Sequence, residues 1–537
     1  MAAPVLAVTT LVLGPSPDVP YIDDYDAIGS FLRLYDDTPS AGGRLQLLLA
    51  PHNEHMMALP RAAALATRGL YGYLDFGTLN ALGSAWLLLL LCGLFLAFRP
   101  GTRAADKLLP FAPAALLLVH PAFHMMFRSP TTSHSGFGVA ACAALACVAL
   151  DRGGPRRLAL AGLLAIAATL TLANGLLIVP VGLVVLALRR RWKQCAVWAA
   201  AGTAMLAVYF GALDPPAARA ELLEAASQPG RVVAYLLNFI GCGPGFRRPG
   251  VSLLAGALVL SALAGAFLKG LPQRSPALFG VALFLLGSAL ANALARAPLG
   301  ADLPLLQPRY AFYSSALAAL AYLSWAEVAP TARRAFVAAL LGSAGFCAAS
   351  FYIWGDRVAT RSERLAQGYE QWWSQGDGGL FHPDFRSADA ILLHGLEAGW
   401  LRLPPDWLER HAAWPIPRDA PVADQGVRYQ LDVVNQDAHS FYVSGWARAG
   451  GSTRGQQVEI VLLDQREARV FPAVSVVRAD LDPSAATTPN LARTGFRALV
   501  PKQALPPGPY RLGILVRRAG REHLSYAPRP VQIRGGS

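Results

Sequence analysis

Residues 79–98 read "LNALGSAWLLLLLCGLFLAF", an uncharged stretch closed by Arg99. A run of about 20 such residues is what a helix needs to cross the hydrocarbon core of a bilayer. Working outward, further apolar runs occur at 108–120, 135–150, 158–172, 175–188, 194–212, 251–268, 276–295, 312–328 and 335–354. The shorter ones predict spans that recruit flanking residues, tilt or thin the bilayer. The pair 158–172 and 175–188 is joined by a tight turn at Asn174-Gly175. Across all 537 residues, 54% are hydrophobic and only 15% charged. A soluble globule carries about a quarter charged residues. The sequence therefore predicts a polytopic α-helical membrane protein.

The net charge of +13 does not point to nucleic acid, because the basic residues sit in short clusters between apolar runs. Arg99, Arg103 and Lys107 share one loop, and Arg152, Arg156 and Arg157 fall in the next but one. Arg189–Arg191 with Lys193, then Lys269 with Arg274, then Arg333 with Arg334 follow. Every second loop is basic, which places those loops in the cytoplasm. The outer side then receives 15–78, 120–134, 213–250, 296–311 and everything after about 355. All ten histidines lie in these outer segments or at their edges. The six cysteines fall in or beside apolar segments, so the last third must fold without disulfides. Residues 3–14 are apolar but short for a span; a cleaved signal peptide is the alternative but lacks a basic n-region, so the expectation is a first helix whose beginning is missing or whose start is wrongly assigned. The expected total is about eleven helices.

Beyond 355 the character changes. "DRVATRSERLAQGYEQWWSQ" and "SADAILLHGLEAGWL" carry helical apolar spacing with polar faces and read as short helices on the membrane surface. A Pro-rich linker follows. From about 427, seven or so period-two runs at roughly ten-residue spacing predict a β-sandwich. The expected organisation is a transmembrane domain at 1–355, surface helices and linker at 356–420, and an all-β sandwich at 421–537.

The polar residues worth singling out crowd the predicted outer face. Asp18, Asp23, Asp24 and Asp26 come first, then His52, Asn53, Glu54, His55 and Arg61. Loop 120–134 adds His120, His124, Arg128 and His134, and a later loop adds Arg296, Asp302, Arg309 and Tyr310. Unpaired charge at a membrane edge is costly, so their density marks a candidate site. His52 with His55, and His120 with His124, would share faces if helical, but the spacing is not HExxH and no thiolate accompanies it. No G-x-S-x-G nucleophile is present. Transfer of a sugar from a lipid-linked phosphate fits better. It needs a carboxylate to take the acceptor proton and cations to hold the phosphate, at the membrane surface.

The layout resembles the GT-C superfamily of integral-membrane glycosyltransferases: many helices, acids just after helix one, and a C-terminal extramembrane domain. More narrowly, "HNEH…LPR" at 52–61 and "QPRYAFYSSALAALAYL" at 307–323 resemble a family of uncharacterised bacterial membrane proteins with a His-Asn-Glu-His-Arg pattern. Met56 departs from that pattern, where Arg is common. The resemblance covers residues 20 to about 400 thinly. It implies Asp24 or Asp23 as catalytic base. Arg61 and Arg309 are the candidates to hold the donor phosphate, with the histidines, His124 among them. Glu54 would orient His52 or His55 or bind a sugar hydroxyl, and Tyr310 would offer a stacking face.

The expected donor is a polyprenyl-phosphate sugar and the acceptor a cell-envelope glycan or lipid-linked molecule, with the lipid bilayer as surroundings and no nucleic acid. No cofactor is assigned, and a divalent cation is left open. The expected location is a bacterial inner membrane with the last domain periplasmic. The rival readings are a transporter or flippase for lipid-linked glycans, a non-enzymatic scaffold, and an acyltransferase. In the last domain, Phe441 and Tyr442 should face opposite sides of their strand. Trp446 reads either as core or as part of a carbohydrate-binding surface. Asp480 and Asp482 could line a turn.

Overall fold

A computed structural model describes residues 18–52, 55–99, 104–211, 225, 227–329, 333–376, 378–404, 406–416, 422–450, 456–465, 467–477, 494–518 and 520–534. The expectations for residues 3–14, Asn53, Glu54, Asp480 and Asp482 lie outside these. The chain divides into two compact units. The first holds 1–16, 38–64 and 77–361, and the second 17–37, 65–76 and 362–537. The acidic segment near the N-terminus thus belongs with the C-terminal third.

The first unit is helical. Among the described residues, six helices are long and apolar enough to cross a membrane: Phe76–Ala97, Pro130–Arg152, Trp192–Gly211, Val251–Leu268, Pro276–Leu299 and Arg333–Gln375. A seventh crossing is possible if Lys107–Leu118 and Pro121–Phe127, bent by 67°, act as one. The protein is membrane-embedded. Each apolar run named above falls on a helix. Pro229–Gly241 is a further helix that hydropathy did not single out. It lies against Val251–Leu268 so closely that a Cβ on Gly256 would stand 2.0 Å from the Leu237 carbonyl. Only a bare backbone permits that approach.

The basic loops meet at one end of this unit. Arg99 pairs with Asp151, near the C-terminus of Pro130–Arg152, at 2.8 Å, and its backbone N–H donates to Glu327 at 2.8 Å. Arg189 reaches the same Asp151 at 2.5 Å, and Arg274 donates to the Val328 carbonyl at 2.8 Å. Helices rising about 1.5 Å per residue carry their other termini some 30 Å away. His124 and Arg128 precede Pro130, Arg309 precedes Tyr310–Val328, and Arg247 precedes Val251–Leu268. Trp354 and Arg357 lie six turns along Arg333–Gln375, roughly 30 Å from its start. The segment before Ala58 joins Leu170 and Thr171, at the far end of Pro155–Thr169. Each of these groups therefore sits opposite the basic loops.

Where two separate elements were expected at 335–354 and 356–375, one unbroken helix of 43 residues runs from Arg333 to Gln375. No proline interrupts it, and Gly355 has open space around it. A change of hydropathy is not a helix stop.

Among its described residues, the second unit contains nine strands in two antiparallel sheets: β1 (Val427–Gln436), β2 (Ser440–Ala449), β3 (Gln457–Leu463), β4 (Ala468–Pro472), β5 (Val474–Val476), β6 (Gly495–Pro501), β7 (Gly508–Arg518), β8 (Arg521–Tyr526) and β9 (Val531–Ile533). One sheet has the order β1-β2-β6-β5, the other β4-β3-β7-β8 with β9 on β7. A single core takes Phe441, Val443, Phe496 and Val500 from the first and Ile460, Phe471, Leu512 and Ile514 from the second. Strands β4 and β5, only Ala473 apart, part after Pro472 into different sheets. Strand β8 escaped notice because "REH" hides its alternation.

Phe441 enters the core while Tyr442 faces the other way, its hydroxyl donating to the Leu396 carbonyl at 3.2 Å. Helix Phe385–Glu397 covers that face, capped by Asp384 accepting from Arg386 N and Ser387 N. Asn435 Nδ2 donates to the carbonyls of Leu396 and Glu397 and fixes the helix end. Trp446, on the same face as Tyr442, is half-exposed rather than core.

Candidate functional site

Among the described residues, six non-glycine residues have positive φ: Ile22, Met57, Arg190, Phe246, Arg247 and Gln425. Two of the six, Ile22 and Met57, border the candidate segments, and Ile22, β-branched at φ 45°, is a true outlier. Such strain costs about 1–3 kcal/mol per residue and gathers where function holds it in place.

The acidic segment belongs to the second unit. Tyr21 N donates to Asp24 Oδ2 at 3.1 Å, and Asp24 is wholly enclosed. A π-helix, Tyr25–Ser30, begins directly after it. That wide turn is rare and recurs at functional sites. Asp23 is half-buried. Asp26 Oδ2 bonds His382 Nε2 at 2.9 Å, and its carboxyl is 39% exposed. Burial works against charge on His382, but the bonds to Asp26 and Asp384 outweigh it and raise its pKa. His382 had no sequence signal, because its partner lies at the other end of the chain.

Asp18 accepts from Phe76 N at 2.5 Å, and burial lifts its pKa from 3.8 to about 7, helped by Asp75 and opposed by Phe76 N–H and Arg402. A carboxyl whose folded pKa exceeds its unfolded one binds an extra proton on folding. Its contribution to stability is therefore present below about pH 4, falls as pH rises towards 7, and is flat above. Asp18→Asn is expected to remove that slope, read as the thermal midpoint of detergent-solubilised protein between pH 4 and 8.

In the first unit, His52 and His55 are not helical. His52 N donates to the His55 carbonyl at 2.5 Å and His55 N to the His52 carbonyl at 3.0 Å, an antiparallel bridge. The idea that His52 and His55 share a helix face fails here. Arg61, buried, directs Nη1 at the carbonyls of Leu47 (3.0 Å), Leu48 (3.3 Å), Ala50 (2.5 Å) and Met56 (3.0 Å). It caps helix Ala41–Leu49 and holds both arms of the histidine bridge. Its role is positioning. Tyr310 is also enclosed, its ring 5.0 Å from that of Phe239, so one stacking face is taken. Arg309 lies over the Tyr310 ring at 5.5 Å.

His124 is different. It is buried, its ring stacks on Trp354 at 6.1 Å, and both ring nitrogens lack a hydrogen-bond partner among the described residues. Arg247 and Arg357 lie over the same Trp354 ring at 4.0 and 4.8 Å. Arg247, Arg357 and Arg361 all act electrostatically on His124. Burial, and then Arg357, lower the Arg247 pKa, the mark of crowded positive charge. Neither Arg247 nor Arg357 has an ion pair among the described residues, and Arg247 Nε is buried without a bond. Buried donors are normally satisfied, so such a group calls for an explanation. The half-buried Arg247 and the exposed Arg357 thus bring guanidinium forks, and His124 an imidazole, to one aromatic plate, donors of the kind that suit the oxygens of an anion.

Comparison with family models, curated proteins and solved structures finds no match. The functional reading therefore rests on this geometry. Of the sequence candidates, the structure places His124 in the cluster around Trp354. It gathers His52, His55 and Arg61 around one loop and puts Asp23 and Asp24 in the strained acidic turn. Arg247, Arg357 and Trp354 were missed. Among the described residues, no group of three or more His, Cys, Asp or Glu is arranged to hold a metal ion.

Proposed function

We propose that this protein is a GT-C-type membrane glycosyltransferase that takes a sugar from a polyprenyl-phosphate donor. The observation that carries the reading is the trio Arg247, Arg357 and His124 around Trp354. These groups lack an anionic partner among the described residues and lie at the helix ends opposite the basic loops. With basic loops cytoplasmic, that end is periplasmic in a bacterial inner membrane, and a lipid-borne phosphate reaches it from the bilayer. The reading takes about eleven crossings in all and a periplasmic β-sandwich formed by the two sheets.

In the proposed reaction, the acceptor hydroxyl attacks the anomeric carbon and the bond to the phosphate oxygen breaks. The lipid phosphate leaves with that electron pair, its charge held by the arginines. The acceptor proton goes to a carboxylate, for which Asp24 and Asp23 are the candidates that the resemblance implies, and within the first unit Arg61 keeps the His52–His55 segment in place. The acceptor is a cell-envelope glycan or a lipid-linked glycan.

The test compares envelope glycans by mass spectrometry from cells with the gene, without it, and with Asp24→Asn or Asp23→Asn. Loss of one sugar unit in the deletion is expected. The variant lacking the base should reproduce that loss, since a general base contributes about 10²- to 10⁴-fold. Unchanged glycans in the deletion, under conditions of good expression, would reject the reading and favour a scaffold.

A further inference from the structure

The second unit holds a cavity of about 480 Å³ between helix Phe385–Glu397 and strand β1, a size common for small-ligand sites. Its walls interleave donors and acceptors. Arg33 and Arg386 supply guanidinium groups, Glu397 and Asp432 carboxylates, and Gln430 an amide. A further wall carboxylate, Asp389, is already engaged by Trp372 Nε1 at 2.6 Å and Arg497 at 3.1 Å. The charge of Asp389 is met by Arg497, and the other ionic groups of the wall number two of each sign, so the wall is balanced in charge. His394, also in the wall, buries Nε2 without a hydrogen-bond partner among the described residues.

Two features of the sheet aim this site. The register between β1 and β2 shifts between Leu431 and Val433, so Asp432 is the extra residue of a bulge. A bulge re-aims a side chain, and here Asp432 becomes part of the wall. Gln430 stands directly opposite Trp446, so both lie on one face, and Trp446 Nε1 donates to Gln430 Oε1 at 3.4 Å. The half-exposed indole therefore adjoins the cavity through a wall residue.

We infer that this cleft binds a neutral oligosaccharide, with Trp446 as the stacking plate at its rim. Each sugar hydroxyl both donates and accepts, which matches interleaved guanidinium, carboxylate and amide groups. The C–H face of a pyranose matches an exposed indole. The inference stands whether or not the protein transfers sugars. Where it does, this is where a growing glycan is held.

The test uses the full chain in lipid nanodiscs, because sugar-headed detergents would compete. Neutral hexasaccharides of gluco, manno, galacto and N-acetylglucosamine type are titrated calorimetrically beside a uronate and a sulfated hexamer. At least one neutral probe should bind with a Kd below about 1 mM, the weak end of specific recognition. Trp446→Ala and Asp432→Ala should each weaken that binding at least tenfold, with Trp446→Phe retaining most of it. Arg357→Ala should leave it unchanged, which separates this site from the anion cluster. Circular dichroism checks that each variant keeps its strands. Absence of neutral binding, preference for the charged probes, or indifference to both alanine variants would overturn the assignment.

Discussion

Arg357→Ala and Arg247→Ala each weaken binding of undecaprenyl phosphate to the purified protein by at least tenfold, and the double variant binds none measurably. Hydrogen bonds to a charged group are worth about 1.5–3 kcal/mol, and every 1.4 kcal/mol is tenfold in affinity. Lysine at either position should give an intermediate result, since it keeps the charge but loses the planar fork that lies over Trp354. The same alanine variants should raise the thermal midpoint of the ligand-free protein. Burial and Arg357 already press on the Arg247 charge, so removing one cation relieves repulsion. Weaker binding together with greater apo stability separates a ligand site from a structural cluster, whose loss lowers both. Unchanged affinity measured by native mass spectrometry would remove the phosphate from this place.

The helices were legible because spanning a bilayer demands long uncharged runs, and 79–98 announces itself. The common end of the basic loops was legible too, since Arg99, Arg189 and Arg274 were grouped by loop parity before their partners were known. Side-chain roles were not. Arg61 read as a phosphate holder because an arginine after "HNEH" has nothing nearby in sequence to spend its donors on. In three dimensions the end of helix Ala41–Leu49 presents carbonyls to it. Tyr310 read as an open ring, but Phe239 comes from another helix. Arg247 sits in "GFRRPG" and Arg357 in "GDRVATR", each an ordinary basic residue beside an apolar run. Only Trp354 makes them a pair. The acidic turn was visible as composition, yet its membership in the unit of the C-terminal third was not, because that depends on long-range bonds such as Ile22 N to the Phe381 carbonyl.

Asp151→Ala should be the most damaging single change to the helical unit. The side chain of Asp151 is fully enclosed and joins two arginines from different loops, Arg99 at 2.8 Å and Arg189 at 2.5 Å. A carboxylate near the C-terminus of a helix is electrostatically misplaced by itself, since the macrodipole is negative there. Its presence in Pro130–Arg152 is accounted for by the two cations, while Arg191 satisfies the Leu150 and Asp151 carbonyls. Losing the charge-assisted hydrogen bonds of Asp151 costs about 1.5–3 kcal/mol apiece before Arg99 and Arg189, each about a third exposed, recover part of it by hydration. Arg99→Ala should cost less, since its side chain is 36% exposed and Arg189 still neutralises the carboxylate. Both are read as thermal midpoints in detergent. The surviving folded fraction of Asp151→Ala should bind undecaprenyl phosphate as the parent does, because the tie lies at the opposite end of the helices from Arg247 and Arg357. If affinity per folded molecule fell along with stability, the two ends would be coupled and the anion cluster would depend on how the basic loops are tied.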